Sequence, residues 1–288
     1  MKHLVRSGAL ALGIALVAAT PAVAKDQKVD IRFAAVAGDQ PVACGTAIEG
    51  LGTTAQAAQL QDFRFFVSEV KLITRGGKAV PLKLASGSAY RTTRDEIGVT
   101  LIDLENGTGS CAVDGTAAMN ANVRGTAPKG RYVGVRWTLG VPFKLNHTDA
   151  PAMPAPLNSA AMAWSWQVGR KFTKIEFTDP AGATGPWTAN AFYVHLGSVG
   201  CEGNPATGQT VKCAAGNRPA IQLKRFNPAK QQVAVDVRAM LAGNDITANR
   251  SGAPGCMSEP TDPECVGVFG ALGVTAPSKQ TVFKAIAR

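Results

Sequence analysis

The stretch Val29-Asp30-Ile31-Arg32-Phe33-Ala34-Ala35 decides the fold class. Its apolar side chains at 29, 31, 33 and 35 alternate with polar or small ones, which is the period of a half-buried strand. The same period returns in Phe63, Phe65 and Val67, in Val133, Val135, Trp137 and Leu139, and in Val233, Val235 and Val237. Further strands are expected over 99–104, 164–168, 171–177, 191–196, 221–225 and 282–286. Asn106-Gly107, Asp179-Pro180-Ala181-Gly182 and Gly203-Asn204-Pro205 punctuate them as turns. Helical periodicity is sparse, with one short helix expected over 237–242 and another near 54–60. Many short strands with regular turns predict a mainly β protein, an antiparallel β-sandwich with long stapled loops and few short helices.

The first residues carry an export pattern. Lys2 and Arg6 precede a small apolar run from Ala9 to Ala18, and Ala22-Val23-Ala24 supplies a small-x-small cleavage site. The run is too short to span a bilayer. Residues 1–24 therefore read as a signal peptide, and 25–288 as a single domain working in the periplasm. Losing Lys2 and Arg6 lowers the formal charge from +10 to +8. The remaining basic residues are scattered, without the clustering or aromatic interleaving of a nucleic-acid surface.

Six cysteines follow the export signal: Cys44, Cys111, Cys201, Cys213, Cys256 and Cys265. An even count in an exported chain reads as disulfides. Local spacing favours Cys201–Cys213 and Cys256–Cys265, leaving Cys44–Cys111 as the long-range tie. No C-x-x-C motif supports a thiolate metal site. Zincin, nucleophile-elbow, Walker A and dinucleotide motifs are also absent from the sequence.

Histidine is scarce enough to be informative. Beyond the leader only His147 and His195 remain. Alternation places His195 on one face with Tyr193, opposite Phe192, Val194 and Leu196, so replacing it should leave the packing of those residues intact. Met162, Trp164, Trp166 and Val168 would share a face if their segment is extended. Core packing accounts for such an aromatic stripe by default. Indole offers only an N–H donor, whereas the Met162 thioether suits Cu(I).

Four motifs then appear in order. They are Asp62-Phe63-Arg64-Phe65-Phe66-Val67-Ser68-Glu69-Val70, Leu145-Asn146-His147 before a proline-rich loop, Met162-Ala163-Trp164-Ser165-Trp166-Gln167-Val168-Gly169, and His195-Leu196-Gly197-Ser198-Val199-Gly200-Cys201. Over roughly residues 29–245 the chain resembles the MbnP-like copper-binding proteins of the W-x-W type, the four-cysteine member of a metallo-mystery pair. That resemblance implies a copper-binding protein, not an enzyme. It implies a partner, a dihaem peroxidase of the MbnH type related to cytochrome c peroxidases, which oxidises a tryptophan to kynurenine. Carried onto this chain, the modified residue is Trp164 or Trp166, with a lean to Trp164. The copper ligands, Cu(I) or Cu(II), are then His147, His195 and the modified tryptophan, with Met162 auxiliary.

The sequence departs from that pattern twice. Arg170 follows Gly169 where a tyrosine is expected, a change that could alter partner docking. Cys256 and Cys265 are additional and would staple a C-terminal loop. Two other readings stay open: an electron-relay substrate of the peroxidase with no dedicated copper role, and a structural or adhesive sandwich.

Overall fold

A computed structural model describes residues 25–164, 169–180, 186–204 and 209–288. The leader falls outside these, as do Ser165, Trp166, Gln167 and Val168. Among the described residues no helix is long and apolar enough to cross a membrane.

Two sheets pack face to face, as a sandwich requires. One runs Phe283–Ala287, Gln231–Asp236, Asp26–Ala37, Asn122–Pro128 and Lys83–Leu84. The other is built around the 19-residue strand Gln56–Thr74. Pairing is mainly antiparallel, but Asp26–Ala37 meets Gln231–Asp236 in parallel, and Ala191–Leu196 meets Gly255–Cys256 in parallel. Val29, Ile31, Phe33 and Ala35 all turn inward as their alternation predicts. Phe33 and Phe65 meet edge to face across the two sheets, with ring centroids 5.5 Å apart, and Trp137 closes on Phe33 from the side.

The structure differs from the sequence expectations at two helices. The segment near 54–60 is the start of the long strand and not a helix, because tertiary pairing on both edges outweighs local propensity. The helix Cys265–Leu272 was not anticipated. Its buried residues Cys265, Val268, Phe269 and Leu272 form one stripe, but the exposed positions are Val266 and Gly270, so the polar contrast that marks an amphipathic helix is missing. Beyond Trp164, the strand expected over 164–168 lies outside the described residues. Ala163–Trp164 pairs antiparallel with Gly169–Arg170, Trp164 opposite Gly169.

The long strand explains where the loops go. Along one edge, Gln59 to Phe65 pair with Thr173–Thr178, while Val67 to Thr74 pair with Tyr132–Leu139. The change of partner falls at Phe66. Its carbonyl accepts from the Gly140 N–H and its N–H donates to the Phe172 carbonyl, both at 2.8 Å. Gly140 has φ +112°, and a Cβ there would stand 2.6 Å from Phe172 Cγ. Only glycine fits that crossing. The chain thus leaves the sheet at Gly140 and returns at Phe172. Everything between, including His147, Met162 and Trp164, is one excursion anchored at both ends on Phe66.

The disulfides are Cys44–Cys111, Cys201–Cys213 and Cys256–Cys265, the pairing that the spacing favours.

Candidate metal centre

Adjacent strands bring a polar ladder into register on the sheet face turned away from the hydrophobic core. Arg64 is opposite Lys174, which is opposite His195; one step along, Asp62 is opposite Glu176, which is opposite Tyr193. Lys174 and Glu176 alternate with the core residues Thr173, Ile175 and Phe177, as Tyr193 and His195 alternate with Phe192, Val194 and Leu196. The ladder is polar, yet it is buried. The loop 104–118 closes over its Arg64 end, where Arg64 donates to the Asp114 carbonyl, and is pinned by Cys44–Cys111 and by Ser110, whose hydroxyl accepts from the Gly45 N–H.

Burial forces the charges to pair. Arg64 bridges to Asp62; Lys174 donates to Asp62 Oδ2 at 2.5 Å and to Glu176 Oε2 at 2.9 Å. The other Glu176 oxygen lies 2.6 Å from His195 Nε2. Burial alone would raise the Glu176 carboxyl, but the His195 hydrogen bond and the Lys174 ammonium hold it below the usual carboxylate range. Burial pushes His195 down, with Glu176 opposing. The pair is therefore a neutral imidazole donating Nε2–H to an ionised carboxylate. That tautomer leaves the lone pair on Nδ1, which has no hydrogen bond among the described residues. Metal-binding histidines are commonly held by a carboxylate in this way.

Trp164 stands against the same imidazole. The two rings meet edge to face at 89°, centroids 6.4 Å apart, while Tyr193 stacks on the histidine at 5.2 Å. Trp164 is buried but lies outside the main hydrophobic cluster. Its six-membered ring fills the space over Gly197, where a Cβ would come within 2.6 Å of Cζ3. The Ser258 hydroxyl completes the backing, accepting from Gly197 N–H and donating to the His195 carbonyl, each at 2.7 Å. Ser258 is placed by the segment that Cys256–Cys265 staples.

His147 follows the single helical turn Phe143–Asn146 and packs on Phe143. Asn146 links it to Gly169–Arg170, the strand paired with Trp164. Its Oδ1 accepts from the Arg170 N–H at 2.8 Å, so its amide N–H₂ faces His147 Nε2 at 3.2 Å. Arg170 is not a surface residue that could alter docking. It is 2% exposed and donates to the carbonyls of Leu145, Asn146, Thr148 and Leu157, clamping the turn that precedes His147. Burial pushes its guanidinium down to about 10.

Of the residues singled out from sequence, Trp164 and His195 are brought into contact. Asn146 ties His147 to Gly169–Arg170, the strand paired with Trp164. Met162 ends a 3₁₀ turn and is fully buried in the hydrophobic core, so the shared face inferred for Met162 and Trp164 from an extended chain does not hold. Trp166 lies outside the described residues. Sequence reasoning missed Glu176, Lys174, Asp62, Arg64 and Asn146. The alternation of Lys174 and Glu176 on the His195 side was a usable signal, but the cover that buries them was not visible.

Curated proteins give no match to the chain. Among solved structures, MbnP from Methylosinus trichosporium aligns with a TM-score of 0.79 and 34% identity, covering 91% of this chain and 99% of that one. The sequence model of MbnP matches residues 26–258, nearly the whole described chain, and the protein belongs to the MbnP family.

Proposed function

We propose that this protein is an exported copper-binding protein and not an enzyme. In this reading residues 1–24 direct it to the periplasm and 25–288 act as one domain. A partner dihaem peroxidase of the MbnH type oxidises Trp164 to kynurenine, and the product joins His195 and His147 around copper. The observation that carries the choice of Trp164 is its edge-to-face contact with His195, whose Nε2 is held by Glu176.

The donor chemistry fits copper. A neutral imidazole is a good ligand for copper in either common oxidation state. Indole has no lone pair to offer and a disulfide sulfur is a poor ligand, so the unmodified chain has few strong donors. Two equivalents of peroxide would deliver two oxygen atoms across the indole C2–C3 bond, giving N-formylkynurenine and two waters. Hydrolysis then releases formate and leaves an aryl amine beside a ketone. That adds a donor on a strand already braced by Arg170 and Asn146, and preorganisation raises affinity by lowering the ordering cost. Met162 packs in the core, and the proposal does not need it.

The test is a Cu(I) competition titration before and after peroxidase treatment, with intact mass measured on the same samples. Treated protein should lose one carbon, gain one oxygen and bind Cu(I) more tightly. Trp164→Phe should abolish both changes, while Trp166→Phe keeps them. A parent-like gain in Trp164→Phe would refute the assignment.

A further inference from the structure

The disulfide Cys201–Cys213 lies directly against His147. Cys213 Sγ is 3.3 Å from His147 Nε2 and Cys201 Sγ is 4.0 Å from it. The three atoms all lie within 4.8 Å of one another. The nitrogen nearest the sulfurs is the one without a proton. Asn146 Oδ1 is committed to the Arg170 N–H, so its amide hydrogens point at Nε2, which must accept. The imidazole nitrogen that carries the lone pair is therefore also the one beside both sulfurs, and a metal there would replace the Asn146 N–H on it.

Access is also built in. The two cysteines are cross-strand partners in the hairpin Val199–Asn204 and Gln209–Ala215, which pairs with neither main sheet among the described residues. Both are half-buried, whereas Cys111, Cys256 and Cys265 are buried in the core. Of the three disulfides, this is the one with both sulfur-bearing residues open to a reductant.

We propose that Cys201–Cys213 is a masked metal site. Reduced, its two thiols and His147 form a Cys₂His centre for a soft cation, Cu(I) or Zn(II). The reductant is a dithiol: its two electrons break the S–S bond, its two protons form the thiols, and it becomes a disulfide itself. Metal binding displaces both thiol protons, since thiolate is the ligand. Two thiolates and one imidazole make a soft set that favours Cu(I) and Zn(II) over hard cations. Because His147 cannot serve two centres at once, reduction withdraws it from the kynurenine centre. That last consequence rests on the function proposed above; the Cys₂His site does not.

The test uses unmodified protein, never exposed to a peroxidase, with Co(II) as a spectroscopic stand-in for Zn(II). After mild dithiothreitol treatment, alkylation and peptide mapping establish that Cys201 and Cys213 are free. One equivalent of Co(II) should then give a thiolate-to-cobalt charge-transfer band absent from oxidised protein. His147→Ala should weaken Co(II) binding at least about tenfold, and His195→Ala should leave it unchanged. Reduced parent alkylated at both cysteines should show no band, which avoids relying on the folding of a double-serine variant. No band from mapped, reduced parent overturns the proposal, as does a band that survives alkylation of Cys201 and Cys213. Neither result bears on the peroxidase-dependent gain in Cu(I) affinity, which is measured on oxidised protein.

Discussion

His195 Nε2 and Glu176 Oε1 are 2.6 Å apart, on adjacent strands and two residues out of direct register, a diagonal pair on one face. Glu176 thereby sets which imidazole nitrogen carries the proton, while Lys174 occupies its other oxygen. The histidine is not an isolated side chain on a strand. It is the end of a buried chain of charges that runs through Glu176, Lys174 and Asp62 to Arg64.

Glu176→Gln keeps an acceptor for Nε2–H but removes the charge, so the matured protein should bind Cu(I) less tightly while the fold survives. Glu176→Ala removes both functions. It should weaken Cu(I) binding roughly 10–100-fold, as loss of an outer-shell partner does. Cu(I) competition titrations on the two variants check the order, and equal affinity in both would contradict it.

His195→Ala will also be felt in stability, although its neighbours Phe192, Val194 and Leu196 pack on the opposite face. The substitution leaves a buried carboxylate short of one donor, a loss of about 1–3 kcal/mol. Urea unfolding of apo-protein measures this separately from metal affinity.

Burial and the neighbouring Glu105 push the Asp103 carboxyl up to about 8, against the pull of Arg64. A carboxyl raised on folding binds its proton more tightly in the native state. Its contribution to stability is therefore fully present below about 4 and is lost as pH rises to about 8. Asp103→Asn holds the neutral form at every pH. Its urea midpoint relative to the parent should rise steadily across that window and be highest at pH 9. A difference that is flat with pH would show that Asp103 is ionised in the native protein throughout.

Gly197→Ala places a methyl where the Trp164 ring now sits. Overpacking of this kind costs about 1–3 kcal/mol, and here it also moves the indole off His195. Kynurenine yield after peroxidase treatment, read by intact mass, should fall. Gly270→Ala is the control, because nothing lies within 4 Å of a Cβ there. It should leave the yield unchanged and stabilise its helix slightly.

Cys44–Cys111 spans a separation of 67 residues and Cys256–Cys265 one of 9. Chain entropy gives about 4 kcal/mol for the first and about 2–3 for the second. The first also holds the loop that covers Arg64 and Asp62. Cys44→Ala/Cys111→Ala should therefore lower the urea midpoint more than Cys256→Ala/Cys265→Ala.

Much of this was written in local sequence. Val29, Ile31, Phe33 and Ala35 face inward because side-chain direction alternates along any strand, and a one-sided apolar pattern has one way to be buried. The same rule put His195 and Tyr193 on one face. It failed at Val133, which is only half-buried beside a register shift between Tyr132 and Gly134. It also failed at Asp62 and Arg64, polar residues on an alternating strand that are nonetheless buried.

The sequence by itself determined the mainly β sandwich, favoured the observed cysteine pairing by its spacing, and narrowed the histidines beyond the leader to His147 and His195. Those follow from periodicity, loop length and the chemistry of single side chains. Tertiary structure alone decided that Arg170 is a buried clamp, that Met162 belongs to the core, and that Glu176 stands behind His195. The physical reason is separation along the chain. The loop 104–118 that closes over the Arg64 end of the ladder and the excursion from Gly140 to Phe172 are fixed by contacts with the 56–74 strand, which no local pattern encodes.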